Sequence, residues 1–139
     1  MEQQLMHARC ILEAEGFTCV LCGQGQTYTS RHRGIRPLLD FLDSGINLRG
    51  FFAADKVVGK ATAFLYCLLG VAAVYTPVIS QAALEILKRN RIAVSYGVLT
   101  PAICNRAGNG LCPMETATQH IQDPEEALCA IRNALLQLE

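Results

Sequence analysis

The chain has 139 residues, enough for one domain with a substantial core, and 51% of them are hydrophobic against 17% charged, which excludes a disordered chain. Twelve basic side chains balance twelve acidic ones, Trp is absent and aromatics are only 6%. That composition carries neither the basic footprint of a nucleic-acid binder nor an aromatic platform for stacking single strands.

Residues 2–15 place Leu5, Met6, Ile11 and Leu12 among charged neighbours, an amphipathic helix stopped by Gly16. "FTCVLC" (17–22) and "TYTS" (27–30), joined by "GQGQ", predict a β-hairpin. "IRPLLDFLDSG" predicts a short helix with Pro37 near its start and Gly45 as its stop. "RGFFAA" (49–54) predicts a third strand, and "KVVGKATAFLYCLLG" (56–70) a buried helix capped by Asp55. "VAAVYTP" (71–77) is a fourth strand, and Ser80 caps a helix over "QAALEILKRN" whose last turn is basic, as the helix dipole prefers. "IAVSYG" (92–97) closes the sheet. A Gly-rich loop, "NRAGNGLCPME" (105–115), follows, then a last helix opened by "DPEEA" (123–127).

Together these predict one three-layer α-β-α domain over 1–139 with a five-stranded mixed sheet, an N-terminal helix over 1–15, and a C-terminal loop and helices over 98–139. The later strands alternate with helices and are expected parallel, beside an antiparallel hairpin. Ala61 to Leu84 carries no charged side chain, which is long enough for a bilayer. Gly70 interrupts it and a β-rich stretch ending in Thr-Pro follows, so a buried helix and a buried strand fit better than a membrane span. The start of the chain has no signal-peptide pattern, and the seven cysteines are irregularly spaced, so a cytoplasmic protein with reduced thiols is expected.

The order of elements resembles the cytidine-deaminase-like fold. "RGIRPLLDFL", "ADKVVGKATA", "PVISQAALEILK" and "NGLCPMETA", in this order over roughly residues 15 to 130, look like a small uncharacterised prokaryotic family of unknown function. That resemblance implies the deaminase fold without the deaminase zinc site, and no known activity. Zinc deaminases need His-x-Glu at one helix start and Pro-Cys-x-x-Cys at the next. Here His32 is followed by Arg33 and Gly34. Cys112-Pro113 reverses the second motif, with Glu115 where its second Cys would stand. No metal and no cofactor are expected.

Three stretches carry the candidate chemistry. Lys56 and Lys60 add positive charge to a helix start that already bears about half a positive unit, and Gly59 between them permits close approach. An anion at that helix start accounts for all three, whereas lysines projecting to solvent are the plainer reading. "SRHRGIRP" sets Arg31, Arg33, Gly34 and Arg36 at a second helix start, which the resemblance puts on the same cleft. In the Gly-rich loop, Asn105 and Arg106 join the ligand set, Cys112 is a candidate nucleophile, and Glu115 reads as a capping-box residue bordering the site. His120 is too far along the chain to activate Cys112 without help from the fold. Cys19 and Cys22 inside a strand, and Cys10, Cys67 and Cys129 on helices, read as core.

The expected partner is an anionic small molecule, nucleotide-like or phosphorylated, with no nucleic acid or membrane. The alternative is a metal-independent enzyme using Cys112 as nucleophile or Lys56 with Asp55 as an acid/base pair. The neutral, apolar composition also suits a homo-oligomer.

Overall fold

In the computed structural model, residues 2–32, 34–104 and 110–138 are described. Helix α1 (Glu2–Glu15) ends at Gly16, whose φ of 70° is in the left-handed region that glycine adopts freely. Strands β1 (Cys19–Gly23) and β2 (Gln26–Ser30) form the expected hairpin. Its two turn residues, Gln24 and Gly25, have φ of 49° and 73°, the twist that a two-residue hairpin turn requires. Helix α2 (Arg36–Ser44) follows, stopped by Gly45.

The next segment departs from expectation. Strand β3 (Phe52–Asp55) is followed by a second short strand, β4 (Val57–Val58), and helix α3 starts only at Lys60 and runs to Leu69. The sheet therefore has six strands, not five, and Asp55 does not cap α3. Val57 and Val58 are β-branched and prefer the extended state, where they pair with Val78 and Ile79.

Strand β5 (Ala73–Ser80) is the hub. It runs parallel to β3, to β4 and, on its other side, to β6 (Ala93–Thr100). Because β3 and β4 take successive stretches of β5, the mixed sheet is five positions wide, with the antiparallel β1–β2 hairpin on the far side of β3. Pro77 does not end β5 as expected. The Thr76 hydroxyl donates to the Val78 carbonyl (2.9 Å) and accepts from the Val78 N–H (3.3 Å), bridging the residue that has no N–H.

Helices cover both faces. Ala8 and Leu12 of α1 pack with Val20, Cys22, Ala54 and Tyr75. Cys19, Leu21, Ala53 and Val74 pack in the larger core with α3, whose Ala63, Phe64, Leu65 and Tyr66 are fully buried. Around α3 stand α2, α4 (Gln81–Arg89), α5 (Pro113–Thr118) and α6 (Pro124–Leu138). Ser80 caps α4 as expected, its hydroxyl accepting from the Ala83 N–H at 3.1 Å. Asp123 does the same for α6 through the Glu126 N–H at 2.9 Å.

The core reading of two cysteines is corrected. Cys10 and Cys129 are exposed, because each lies two residues from its helix's buried positions (Ala8 and Leu12; Ala127 and Ile131) and so turns to the opposite side. The uncharged run is divided among α3, β5 and the start of α4. Among the described residues no helix is long and apolar enough to cross a membrane.

Candidate functional site

The carboxyl ends of β3 and β4 open into a cavity of about 420 Å³. Gly34 and Ile35 at the start of α2, and Gly59, Ala61 and Thr62 at the start of α3, form two of its walls. Ile103 and the head of α5 (Cys112, Met114, Glu115) close it from above, and Thr18 borders it beside β1. The two helix starts thus share one cleft. Ile35, Val57, Ala61, Ile103 and Met114 make much of the lining apolar, while Asp55, Lys56, Cys112, Glu115 and the two threonines supply polar atoms.

The start of α3 carries the central contact. Gly59 is its N-cap and has no side chain to offer the free N–H groups of the first turn. Glu115, 55 residues beyond Lys60, fills that role: its buried carboxylate accepts from the Lys60 N–H at 2.6 Å. A Cβ on Gly59 would collide with that carboxylate and approach Ile103 Cγ1 to 3.1 Å, so only glycine lets Glu115 reach the helix. The capping-box role expected for Glu115 in its own helix is not formed. The Cys112 N–H instead donates to the Ile103 carbonyl at 3.0 Å.

Lys60 turns away from the cavity. Its Nζ donates to the Gln119 carbonyl at the end of α5 (3.0 Å) and lies 5.9 Å from the centre of the Phe64 ring. Burial lowers its pKa, with Glu115 opposing that shift. Lys56 is exposed and remains on the cavity wall. The two lysines therefore do not share a helical face, because Lys56 precedes β4 and Lys60 opens α3.

Asp55 sits where β3 breaks from β4. Its carboxylate takes the Tyr66 hydroxyl at 2.7 Å and the backbone N–H groups of Lys56 and Val57. The residue keeps a partly exposed face on the cavity, but its carboxyl group is closely surrounded by protein. Burial outweighs the three hydrogen bonds and pushes its pKa up to about 7. Behind Tyr66 lies Cys19, its sulfur 3.4 Å from the hydroxyl. While Asp55 is ionised the single tyrosine hydrogen is committed to it, so the thiol is the donor to Tyr66. Burial raises the pKa of both Cys19 and Tyr66, which keeps each protonated. The sequence reading passed over Tyr66 and Cys19 as polar partners. A tyrosine within an apolar buried helix was the available signal, since its hydroxyl must find a partner.

The other candidates divide. Gly34, Asp55, Lys56, Gly59, Cys112 and Glu115 meet on the cavity wall. Arg36, exposed in the first turn of α2, is not among the residues that line it. Arg31 lies 4.2 Å from the centre of the Phe17 ring and donates to the Glu15 carbonyl at 3.2 Å, tied to the end of α1. Arg33, Asn105 and Arg106 lie outside the described residues. His120 is exposed and does not line the cavity. Among the described residues no group of three or more His, Cys, Asp or Glu is placed to hold a metal ion.

Fold and cavity together define an α/β protein with a mixed open sheet and a small-molecule-sized pocket at two helix starts. The chain belongs to the TM1506 family, a domain of unknown function (DUF1893), which matches residues 7–135. The crystal structure of a DUF1893 family protein (TM1506) from Thermotoga maritima is similar throughout, with a TM-score of 0.88 at 25% identity, over 96% of this chain and 90% of that one. No curated protein matches the chain.

Three outcomes test this geometry. Glu115→Ala should destabilise the fold by about 2–3 kcal/mol in urea unfolding, through loss of a buried charge-assisted hydrogen bond. Gly59→Ala should also destabilise it, because the new methyl displaces Glu115. Asp55 should give a pH signature. Its folded pKa of about 7 lies above the usual carboxyl value of 3.8, so its stability contribution is fully present below the lower value and is lost as pH rises towards the higher. Asp55→Asn, which cannot ionise, should gain on the wild type by on the order of 3–4 kcal/mol between those limits. A stability difference independent of pH would contradict the raised pKa.

Proposed function

We propose that the chain binds an anionic small molecule, nucleotide-like or otherwise phosphorylated, in the cavity between the starts of α2 and α3. The observation that carries this reading is the cavity's position at the carboxyl ends of parallel strands, where α/β sheets bind ligands, with an apolar lining and a few convergent polar groups. Among the described residues Lys56 is the cation of its wall, and it takes the anionic group. The apolar body of the ligand lies against Ile35, Ile103 and Met114, with Asp55 and Thr62 in reach of its polar edge. Lys60 is not in this ligand set, because its ammonium is engaged with Gln119. Glu115 already answers the start of α3, so the ligand's anionic group belongs at Lys56 rather than on that helix end.

We further take the fold to be cytidine-deaminase-like. The antiparallel hairpin beside parallel strands, and the two helix starts on one cleft, support that reading. The zinc motifs are missing from the sequence, so the ligand reading is a zinc-independent one.

A second reading, a metal-independent enzyme, is favoured by one observation. Asp55 is a carboxyl group titrating at about 7 on a cavity wall, held by Tyr66, which suits it to exchange a proton with a bound molecule. Asp55 with Lys56 therefore stands ahead of Cys112 as the reacting group. Cys112 is half-buried at the head of a six-residue helix.

The ligand reading is tested by thermal-shift titration with inorganic phosphate and nucleoside monophosphates. The wild type should gain Tm with at least one of them. Lys56→Ala should lose that gain while its unliganded Tm moves little, because the side chain is exposed. An equal gain in both proteins would remove Lys56 from the site, and no gain in either would remove the anion.

A further inference from the structure

The two edges of the sheet are built differently. β2, at one edge, is short and reads Gln-Thr-Tyr-Thr-Ser. β6, at the other, is eight residues long and reads Ala-Val-Ser-Tyr-Gly-Val-Leu-Thr. It pairs with β5 from Ala73–Ala93 to Ser80–Thr100, and among the described residues nothing pairs with its outer side. Natural edges are blunted by charge, proline, bulges or shortness. β6 has no charge, no proline and an unusually long run for an edge.

Its side chains are exposed as well. Tyr96 is 41% exposed, Val98 59% and Leu99 45%. Beside the first half of the strand runs a groove of about 460 Å³, formed by Leu5, Met6 and Arg9 of α1 with Tyr75, Val94 and Ser95. Met6, on its rim, is 56% exposed. Pleating puts Leu99 on the groove's face of the sheet with Ser95, and Tyr96 and Val98 on the opposite face with Val94, so exposed apolar side chains flank the backbone edge on both faces.

We propose that this surface is the interface of a homodimer, in which β6 pairs antiparallel with β6 of a second copy across a two-fold axis. Three observations favour a second copy over another partner. An uncharged strand opposes itself without like-charge contacts and without burying an unpaired charge, and it offers no charge pattern by which to select a different protein. The chain as a whole is formally neutral, so two copies do not repel one another. Two-fold pairing also closes the vulnerable edge on both molecules at once, which a head-to-tail arrangement would not. A stable interface needs about 800 Å² from each partner, more than a single strand edge supplies. The adjoining groove and the outward face of α1 provide the remainder. The joined sheet would be ten positions wide, with the cavity of each copy left open.

The test is sedimentation equilibrium of the full chain, with Val98→Lys and Tyr96→Lys made separately. Both side chains face solvent in the single chain, so each variant should keep its fold, checked by thermal melting. If one fails to fold, the other carries the test. The wild type should sediment at twice the chain mass at micromolar concentration. Each lysine appears twice across the axis and should weaken the dimer by roughly 100-fold. A wild type that stays monomeric through that range overturns the proposal, as does a dimer that neither lysine weakens.

Discussion

Helix α3 is largely buried, and its first turn must find acceptors for N–H groups that no residue of its own supplies. Gly59 has no side chain and Lys60 brings further positive charge. A buried N–H without a partner costs about 1–3 kcal/mol, and the helix dipole makes that end the natural seat of a negative group. Glu115 provides it from a helix 55 residues away. One contact thereby fixes the start of the central helix, requires glycine at 59, and pins the head of α5 over the sheet. The cavity exists because these pieces meet there: its floor is the end of β3 and its roof is the segment that Glu115 anchors.

Asp55 is the second constraint and it works by a related device. Its carboxylate gathers the N–H groups of Lys56 and Val57 at the point where β3 gives way to β4, and Tyr66 from α3 completes the set. The strand thus changes direction without leaving β5, and a protonatable group is held on the cavity wall. Cys19 extends the hydrogen-bonded chain into the core. The group that shapes the backbone here is also the one with the chemistry to exchange a proton near neutral pH.

Elements governed by local signals were legible in the sequence. Gly16, Gly45, Ser80 and Asp123 mark helix ends through their own backbone conformations or side chains, and the alternation of strands and helices implied parallel pairing. What was not legible depended on contacts distant along the chain. "KVVGK" is compatible with a helix until β5 offers Val57 and Val58 a strand to pair with. The lysines looked like a request for an external anion because nothing local indicated that Glu115 would arrive. Six of the candidate residues do line one cavity, since they flank the helix starts that the sheet brings together. Lys60 does not, because the first residue of a helix projects in a direction set by its packing, here towards Gln119 and Phe64.

The account turns on the hydrogen bond between Glu115 and the first N–H of α3, and amide hydrogen exchange followed by NMR reads that group directly. The Lys60 amide should exchange slowly, at a rate approaching that of the core amides of α3, and should become fast in Glu115→Ala while those core amides stay protected. A Lys60 amide that exchanges as quickly in the wild type as in Glu115→Ala would contradict the account.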